Sequence, residues 1–324
     1  MKRLAPSTRY RYLVPILLCV LIRVGWLAVF PSDPIGPVDA EGFHLLAVNV
    51  RAGRGFAIGW SPPFCPTGVR TPFYPAFLLL TYGGLGVDPA RAIRAQVLVD
   101  VLTTALLIAL GREIAFRISD KSSILWVGFW AGMAYALNGT AVRYTGVLLA
   151  ESLLILLLTW ALWMTVRYLH RPRLRGATLT GLAWALAVLT KPNVQYLALG
   201  ALSLMVIWAA SGRSRRWVQV GAGLGLFAAV LLPWVLRNHR RFDRWVLSTA
   251  FEENLARVSA VATLAEIQDV RAEPWSATWE HLYAGFAERA TGLTPAEAQS
   301  LSCKAQVAWH HRLARAARSV VRRH

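Results

Sequence analysis

The chain is poor in cysteine, in acidic residues and in repetition, and each shortage removes something. It has three cysteines in 324 residues, with no CxxC pair and no Cys/His cluster at zinc-ligand spacing, so the sequence carries no signal for a zinc site. Cys19 lies in an apolar run and reads as packing. Cys65 and Cys303 fall on one side of the membrane in the topology derived below, which permits a disulfide, but the expectation is that they stay unpaired. Internal repeats and low-complexity tracts are absent, which weighs against a transporter built from inverted halves. No small-x-small cleavage site follows the first apolar stretch, so that stretch is expected to remain as a signal anchor. Asp and Glu number 17 against 35 Lys and Arg, giving a formal charge of +18. In a soluble protein such basicity suggests nucleic acid. Here the basic residues sit in short clusters between apolar runs, the pattern of membrane loops facing the cytoplasm, and nucleic acid is set aside as a partner.

What is present is hydrophobic: 56% of residues are apolar, above the roughly 45–50% of soluble domains. The fourteen tryptophans suit membrane interfaces, where an amphipathic ring sits at headgroup depth. A helix crossing about 30 Å of hydrocarbon needs roughly 20 residues. The candidates are Tyr12–Phe30, Ala92–Phe116, Ser123–Val142, Val147–Val166, Ala177–Thr190, Val194–Ala210 and Trp217–Leu236. The apolar stretch Pro72–Leu85 is short, holds two prolines and ends near Gly83-Gly84. If it does not span, the clusters Arg112/Arg117/Lys121, Arg167/Arg171/Arg173/Arg175 and Arg213/Arg215/Arg216 all share the side of the N-terminus. If it spans, all three lie outside, against the positive-inside tendency. The non-spanning topology follows.

The sequence therefore predicts an all-α polytopic membrane protein with its N-terminus in the cytoplasm. Residues 1–30 form the N-terminus and first span, 31–90 an outer loop with interfacial helices, and 91–236 six further spans. Residues 237–324 form an outer segment of short helices, with helical periodicity in Asn254–Val270 and Pro295–Arg322. Ala305–His324 is basic and amphipathic, with Trp309, Leu313, Ala316 and Val320 on one face. It suits a membrane surface or the approach to another span.

In this topology nearly every ionisable or amide residue in or beside a span shares the outer face. A charge at mid-span costs roughly 2.5–3.5 kcal/mol, so a shared face indicates a polar cavity. Asp39 and Glu41 open the outer loop; two positions apart, they point to different sides of a helix. Asp39 reads equally as a general base or as the N-cap of Glu41–Val50. His44, three after Glu41, allows a divalent metal, although an ordinary interfacial histidine is the plainer assignment. Arg70 stands at headgroup depth, either for a lipid phosphate or simply snorkelling. Arg94 follows at the start of the next span, and Asp100 is its expected partner. Glu151 is expected to face the cavity, or else to pair with Arg143. Lys191, before Pro192-Asn193, suits neutralising a phosphate. Arg237 and Asn238 lie in a basic patch kept outside despite the positive-inside bias, which indicates an anionic ligand. Carboxylates and cations beside lipid suit group transfer from a lipid-linked phosphate: a carboxylate takes the acceptor's proton and cations stabilise the departing oxygens.

Several motifs resemble a known family. Asp39-Ala40-Glu41-Gly42-Phe43-His44-Leu45-Leu46-Ala47, Gly53-Arg54-Gly55-Phe56 and Arg70-Thr71-Pro72-Phe73-Tyr74-Pro75-Ala76-Phe77-Leu78 are similar to the first outer loop of family 39-like GT-C glycosyltransferases. These include dolichyl-phosphate-mannose protein mannosyltransferases and bacterial aminoarabinose and galacturonic acid lipid A transferases. Arg94 with Gln96, Glu151-Ser152-Leu153-Leu154, Leu189-Thr190-Lys191-Pro192 and Pro233-Trp234 with Arg237-Asn238 continue the resemblance in order. It implies a GT-C bundle of about seven spans in the bacterial inner membrane, using a polyprenyl-phosphate-linked sugar at the outer face. The acceptor would be a lipid, a glycan or a protein. It implies inversion at the anomeric centre with Asp39 as base and Glu41 beside it, Arg70 near the donor phosphate, Glu151 near sugar or acceptor, and Arg237 facing the cavity. No cofactor is required by the resemblance, though a divalent metal is allowed. Two features depart from the pattern: Lys191 stands where arginine is frequent, without the bidentate fork, and further spans are expected after the outer segment, which ends here at His324. The alternatives are a non-enzymatic lipid-linked-sugar binding protein or translocase, or an inactive truncated transferase.

Overall fold

The structure, a computed structural model, describes residues 6–31, 33–36, 38–84, 86–118, 121–212 and 214–323. Lys2 and Arg3 of the N-terminal basic cluster, Leu85 and Arg213 lie outside the described residues. The chain divides into two compact units, Met1–Val48 with Thr71–Trp234 and Asn49–Arg70 with Val235–His324. Among the described residues the regular elements are all helical.

In the first unit the chain runs through α1 (Pro6–Val29), α2 (Val38–Arg51), α3 (Phe73–Tyr82), α4 (Pro89–Ile118), α5 (Lys121–Ala136), α6 (Gly139–Thr145), α7 (Glu151–His170), α8 (Leu174–Thr190), α9 (Gln195–Ala210) and α10 (Ser214–Phe242). Among the described residues five segments are long and apolar enough to cross a membrane: Tyr12–Val29, Pro89–Phe116, Glu151–His170, Pro192–Ala210 and Ser214–Phe242. The protein has the make-up of a multi-pass membrane protein. With 10 residues, α3 reaches only about 15 Å, half a bilayer core. The 16 residues of α5 and the 17 of α8 are also short of the usual length.

Several expected span boundaries move. Ser123–Val142 is not continuous: α5 ends at Ala136, and Asn138 starts α6 by accepting the Ala141 N–H at 2.8 Å. Asn is among the best N-caps, and here a local cap outweighs the unbroken apolar character. The next helix begins at Glu151 rather than Val147, because the Leu148 N–H is drawn to the Pro34 carbonyl at 2.9 Å. The last helix runs past Leu236 to Phe242 and carries Pro233 inside it.

Arg23, which breaks the first apolar stretch, has its partner in the fourth helix. Its Nε donates to Asp100 Oδ2 at 2.7 Å, and both side chains are wholly buried. Asp100 also accepts from the Tyr135 hydroxyl at 2.7 Å and from Thr145, so one carboxylate ties α1, α4, α5 and the end of α6. The expected Arg94–Asp100 pair does not form. Six residues apart on a helix, the two point in different directions, and Arg94 turns outward toward Asp88 at 3.6 Å. Close helix contacts rest on glycine: a Cβ on Gly181 of α8 would collide with the Gly223 carbonyl of α10, and one on Gly223 would meet the Ala177 carbonyl at 2.6 Å.

The second unit comprises the loop Asn49–Arg70, the end of α10, then α11 (Ala250–Asn254), a π-turn at Leu255–Ser259, α12 (Ala260–Ile267), α13 (Ala277–Thr291), α14 (Pro295–Gln299) and α15 (Cys303–Arg323). The apolar face of α15 does not lie on a membrane. Trp309, Leu313 and Ala317 are buried among Ala260, Trp279, Tyr283 and Phe286, with Ala316 and Val320 packed beside them. Trp309 Nε1 donates to Thr291 Oγ1 at 2.7 Å. Sequence periodicity missed α13, although Ser276 caps it through the Trp279 N–H and Gly292 ends it at φ +79°. Cys65 and Cys303 are joined in a disulfide with 5.1 Å between Cα atoms, overturning the expectation that they stay free.

Candidate active site

α2 is buried at Ala40 and at every position from Gly42 to Ala47, so its middle is enclosed on all sides, while Asp39 stays exposed and Glu41 half-buried. Asp39 lies within the first turn, since the helix begins at Val38 and not after Asp39; it is past the cap position. Both carboxylates then sit at the positive end of the helix dipole, pointing apart as their two-residue spacing requires.

His44 has a hydrogen-bond partner in α3. Its Nδ1 is 2.8 Å from the Tyr82 hydroxyl. Burial pushes its pKa down, with the Glu41 charge opposing. Among the described residues no group of three His, Cys, Asp or Glu is placed to hold a metal ion.

From α2 the contacts pass through α3 to α4 and the start of α7. Phe43 meets the Tyr74 ring edge-on at 4.9 Å. The Tyr74 hydroxyl donates to Gln96 Oε1 at 2.6 Å, and Gln96 Nε2 donates to the carbonyls of Thr145 and Val147, each at 2.9 Å. Burial raises the Tyr74 hydroxyl well above its ordinary pKa, with Tyr82 and Glu151 adding to the effect. Arg91 reaches the Tyr82 carbonyl at 2.9 Å and Asp88 at 3.1 Å. Arg94 is 68% exposed along its side chain. Residues of α2, α3, the start of α4, the start of α7 and the end of α8 share one hydrophobic cluster, containing Phe43, Tyr74, Leu78, Ile93, Leu148, Leu154 and Ala187.

Glu151 and Lys191 close this end. Lys191 Nζ donates to Glu151 Oε1 at 2.6 Å, with both side chains partly exposed. The antiparallel hairpin of α7 and α8 brings the first residue of one helix against the residue following the other. Arg143 is therefore not the partner of Glu151, and Glu151 does not face a cavity without a counter-charge.

Arg70, Arg237 and Asn238 belong to the second unit. Arg70 is half-buried. Arg237 donates to the Thr67 carbonyl at 2.7 Å and to Asn238 Oδ1 at 2.8 Å, with its guanidinium against Phe56 and Phe242. Asn238 is wholly buried and gives its amide to the carbonyls of Val246 and Leu247 at 2.9 and 3.2 Å. These two residues hold the loop Asn49–Arg70 and the turn after α10 in place.

Sequence reasoning missed the Arg23–Asp100 pair and the His44–Tyr82 contact. A signal for the first existed: two ionisable residues of opposite sign, each inside an apolar span, each expensive to bury alone. No such signal marks the second, because Tyr82 reads as ordinary interfacial aromatic.

The chain matches no protein-family model, and no curated protein is similar to it at a significant level. The resemblance to family 39-like GT-C glycosyltransferases rests on the motifs alone.

Proposed function

We propose that the protein is a membrane glycosyltransferase that moves a sugar from a polyprenyl-phosphate donor to an acceptor hydroxyl or amine. One observation carries this: Asp39 and Glu41 of α2, Arg94 of α4, and the Glu151–Lys191 pair of α7 and α8 are set on elements that share one core at one end of the first unit. The opposite ends of the same helices are basic, with Arg112, Arg167, Arg171 and Arg173. By the positive-inside tendency the carboxylate-bearing end faces outward, across the inner membrane of a bacterium, within a seven-span bundle of the GT-C type. The Cys65–Cys303 disulfide supports an outer, oxidising side for the second unit.

In this assignment Asp39 takes the proton of the acceptor as its oxygen or nitrogen attacks the anomeric carbon. The new glycosidic bond forms as the bond from that carbon to the phosphate oxygen breaks, and the configuration inverts. The departing phosphate takes the electron pair and gains charge. Arg94 offers it a guanidinium fork. Lys191 has three donors and commits one to Glu151, leaving two for the phosphate. Glu151 fixes the ammonium in place.

The test is transfer from a panel of radiolabelled polyprenyl-phosphate sugars in membranes carrying the protein. Label moving from one donor into a lipid, glycan or protein fraction supports the assignment and names the donor. Absence of transfer from every donor, with the protein shown folded in the membrane, removes it.

A further inference from the structure

At the end of the first unit remote from Asp39, a cavity of about 570 Å³ is lined by Pro172, Arg173, Leu174, Arg215, Arg216 and Gln219. Two long helices begin at it, α8 at Leu174 and α10 at Ser214. The glycine contacts between Gly181, Gly223 and Ala177 hold these helices together near their N-terminal halves, so both N-termini stay at the same cavity. Each presents first-turn N–H groups and the positive end of a helix dipole. Arg173 occupies the cap position of α8 and makes no side-chain cap bond there.

Three arginines add full charges to those partial ones. Among the described residues no carboxylate pairs with Arg173, Arg215 or Arg216, whereas Arg23, Arg91, Arg257, Arg318 and Lys191 each have one. Arg216 is pinned with its guanidinium 4.0 Å from the centre of the Trp208 ring. Gln219, only 6% exposed, accepts from the Tyr168 hydroxyl at 3.3 Å, so its amide nitrogen is the group it has to offer a ligand. Leu174, Trp217 and Val218 are exposed beside the arginines. Like charges crowded round a cavity between two helix N-termini are unfavourable without an anion, and guanidinium forks fit phosphate oxygens in particular.

We propose that this cavity is a binding site for a phosphate-bearing anion, separate from the transfer site and independent of that assignment. Two sources share the chemistry: the headgroup of an anionic phospholipid in the adjoining leaflet, and a soluble phosphate. The exposed apolar rim suits the headgroup.

The experiment uses the full chain in nanodiscs. One arm compares phosphatidylcholine discs with discs also containing phosphatidylglycerol, reading the lipid retained on the protein by native mass spectrometry. A second arm titrates inorganic phosphate and pyrophosphate into phosphatidylcholine discs and reads thermal stability. Selective phosphatidylglycerol retention assigns the headgroup, and saturable stabilisation by phosphate or pyrophosphate assigns the soluble anion. In the triple variant Arg173→Gln/Arg215→Gln/Arg216→Gln, binding should weaken at least about tenfold, the equivalent of losing one charge-assisted hydrogen bond. Should that variant not fold, the single changes Arg173→Gln and Arg215→Gln, both at exposed positions, should each weaken binding several-fold. Binding of neither probe by the wild type, or unchanged binding in the variants, overturns the proposal.

Discussion

Replacing Asp100 with alanine should be among the most damaging changes in the first unit. Asp100 and Arg23 are wholly buried and bonded at 2.7 Å, so the change leaves a guanidinium enclosed between helices without its anion. Guanidinium does not shed its proton, and breaking a buried pair in this way costs about 3–5 kcal/mol. The bonds from Tyr135 and Thr145 are lost as well, but interhelical hydrogen bonds in membranes average only about 0.6 kcal/mol, so the charge dominates. Arg23→Met should cost less than Asp100→Ala. The stranded carboxyl keeps its two hydroxyl donors and is able to take up a proton, which the guanidinium in the converse variant is not able to lose. The double variant Arg23→Met/Asp100→Ala should be more stable than Asp100→Ala alone, a coupling of about 1–3 kcal/mol. Unfolding of the purified protein in mixed micelles of rising SDS fraction measures all three. A cost below about 1 kcal/mol for Asp100→Ala, or effects that simply add, would refute the reasoning, because neither is compatible with a buried charge that depends on one partner.

Because burial depresses the pKa of His44, the native state prefers the neutral ring. Stability from this group is complete above its unfolded pKa of about 6.5 and is lost as pH falls below that value; the Tm of the wild type should drop between neutral and mildly acidic pH more than that of His44→Gln, and equal slopes would contradict it. Gly181→Ala should cost roughly 1–3 kcal/mol by overpacking against the Gly223 carbonyl, whereas Gly200→Ala, with nothing within 4 Å, should be neutral or slightly stabilising; SDS unfolding separates the two. Alkylation with a mass-tagged maleimide should modify Cys65 and Cys303 only after reduction, and Cys65→Ser should release Cys303 for labelling without it; labelling of both in the unreduced wild type would contradict the disulfide.

Much of the architecture was legible because bilayer crossing imposes a length and a composition that show in one dimension. The segments around Arg112, Arg167 and Arg215 were separable from the apolar runs, and the two prolines of Pro72–Leu85 marked a piece that folds into a helix of 10 residues. The break at Asn138 was harder to see, since apolar residues continue across it and one amide side chain decides the helix start. The pairings were the least legible. Arg23 and Asp100 are 77 residues apart, and the disulfide spans 238, so no local pattern joins them. The periodicity of α15 showed that Trp309 and Leu313 must be covered, yet a covering bilayer and a covering helix demand the same apolar face. At the candidate site, residue types were readable and partners were not: Glu151 found Lys191, 40 positions away, where proximity in sequence had suggested Arg143.

The assignment of Asp39 as general base is tested most directly by measuring donor binding and sugar transfer side by side in Asp39→Asn. The substitution keeps the size of the side chain and removes its ability to take a proton. Transfer should fall about 10²- to 10⁴-fold, the usual share of a general base, while affinity for the polyprenyl-phosphate sugar stays near that of the wild type. Transfer that remains at the wild-type rate would contradict the account, because the acceptor would then be losing its proton to some other group.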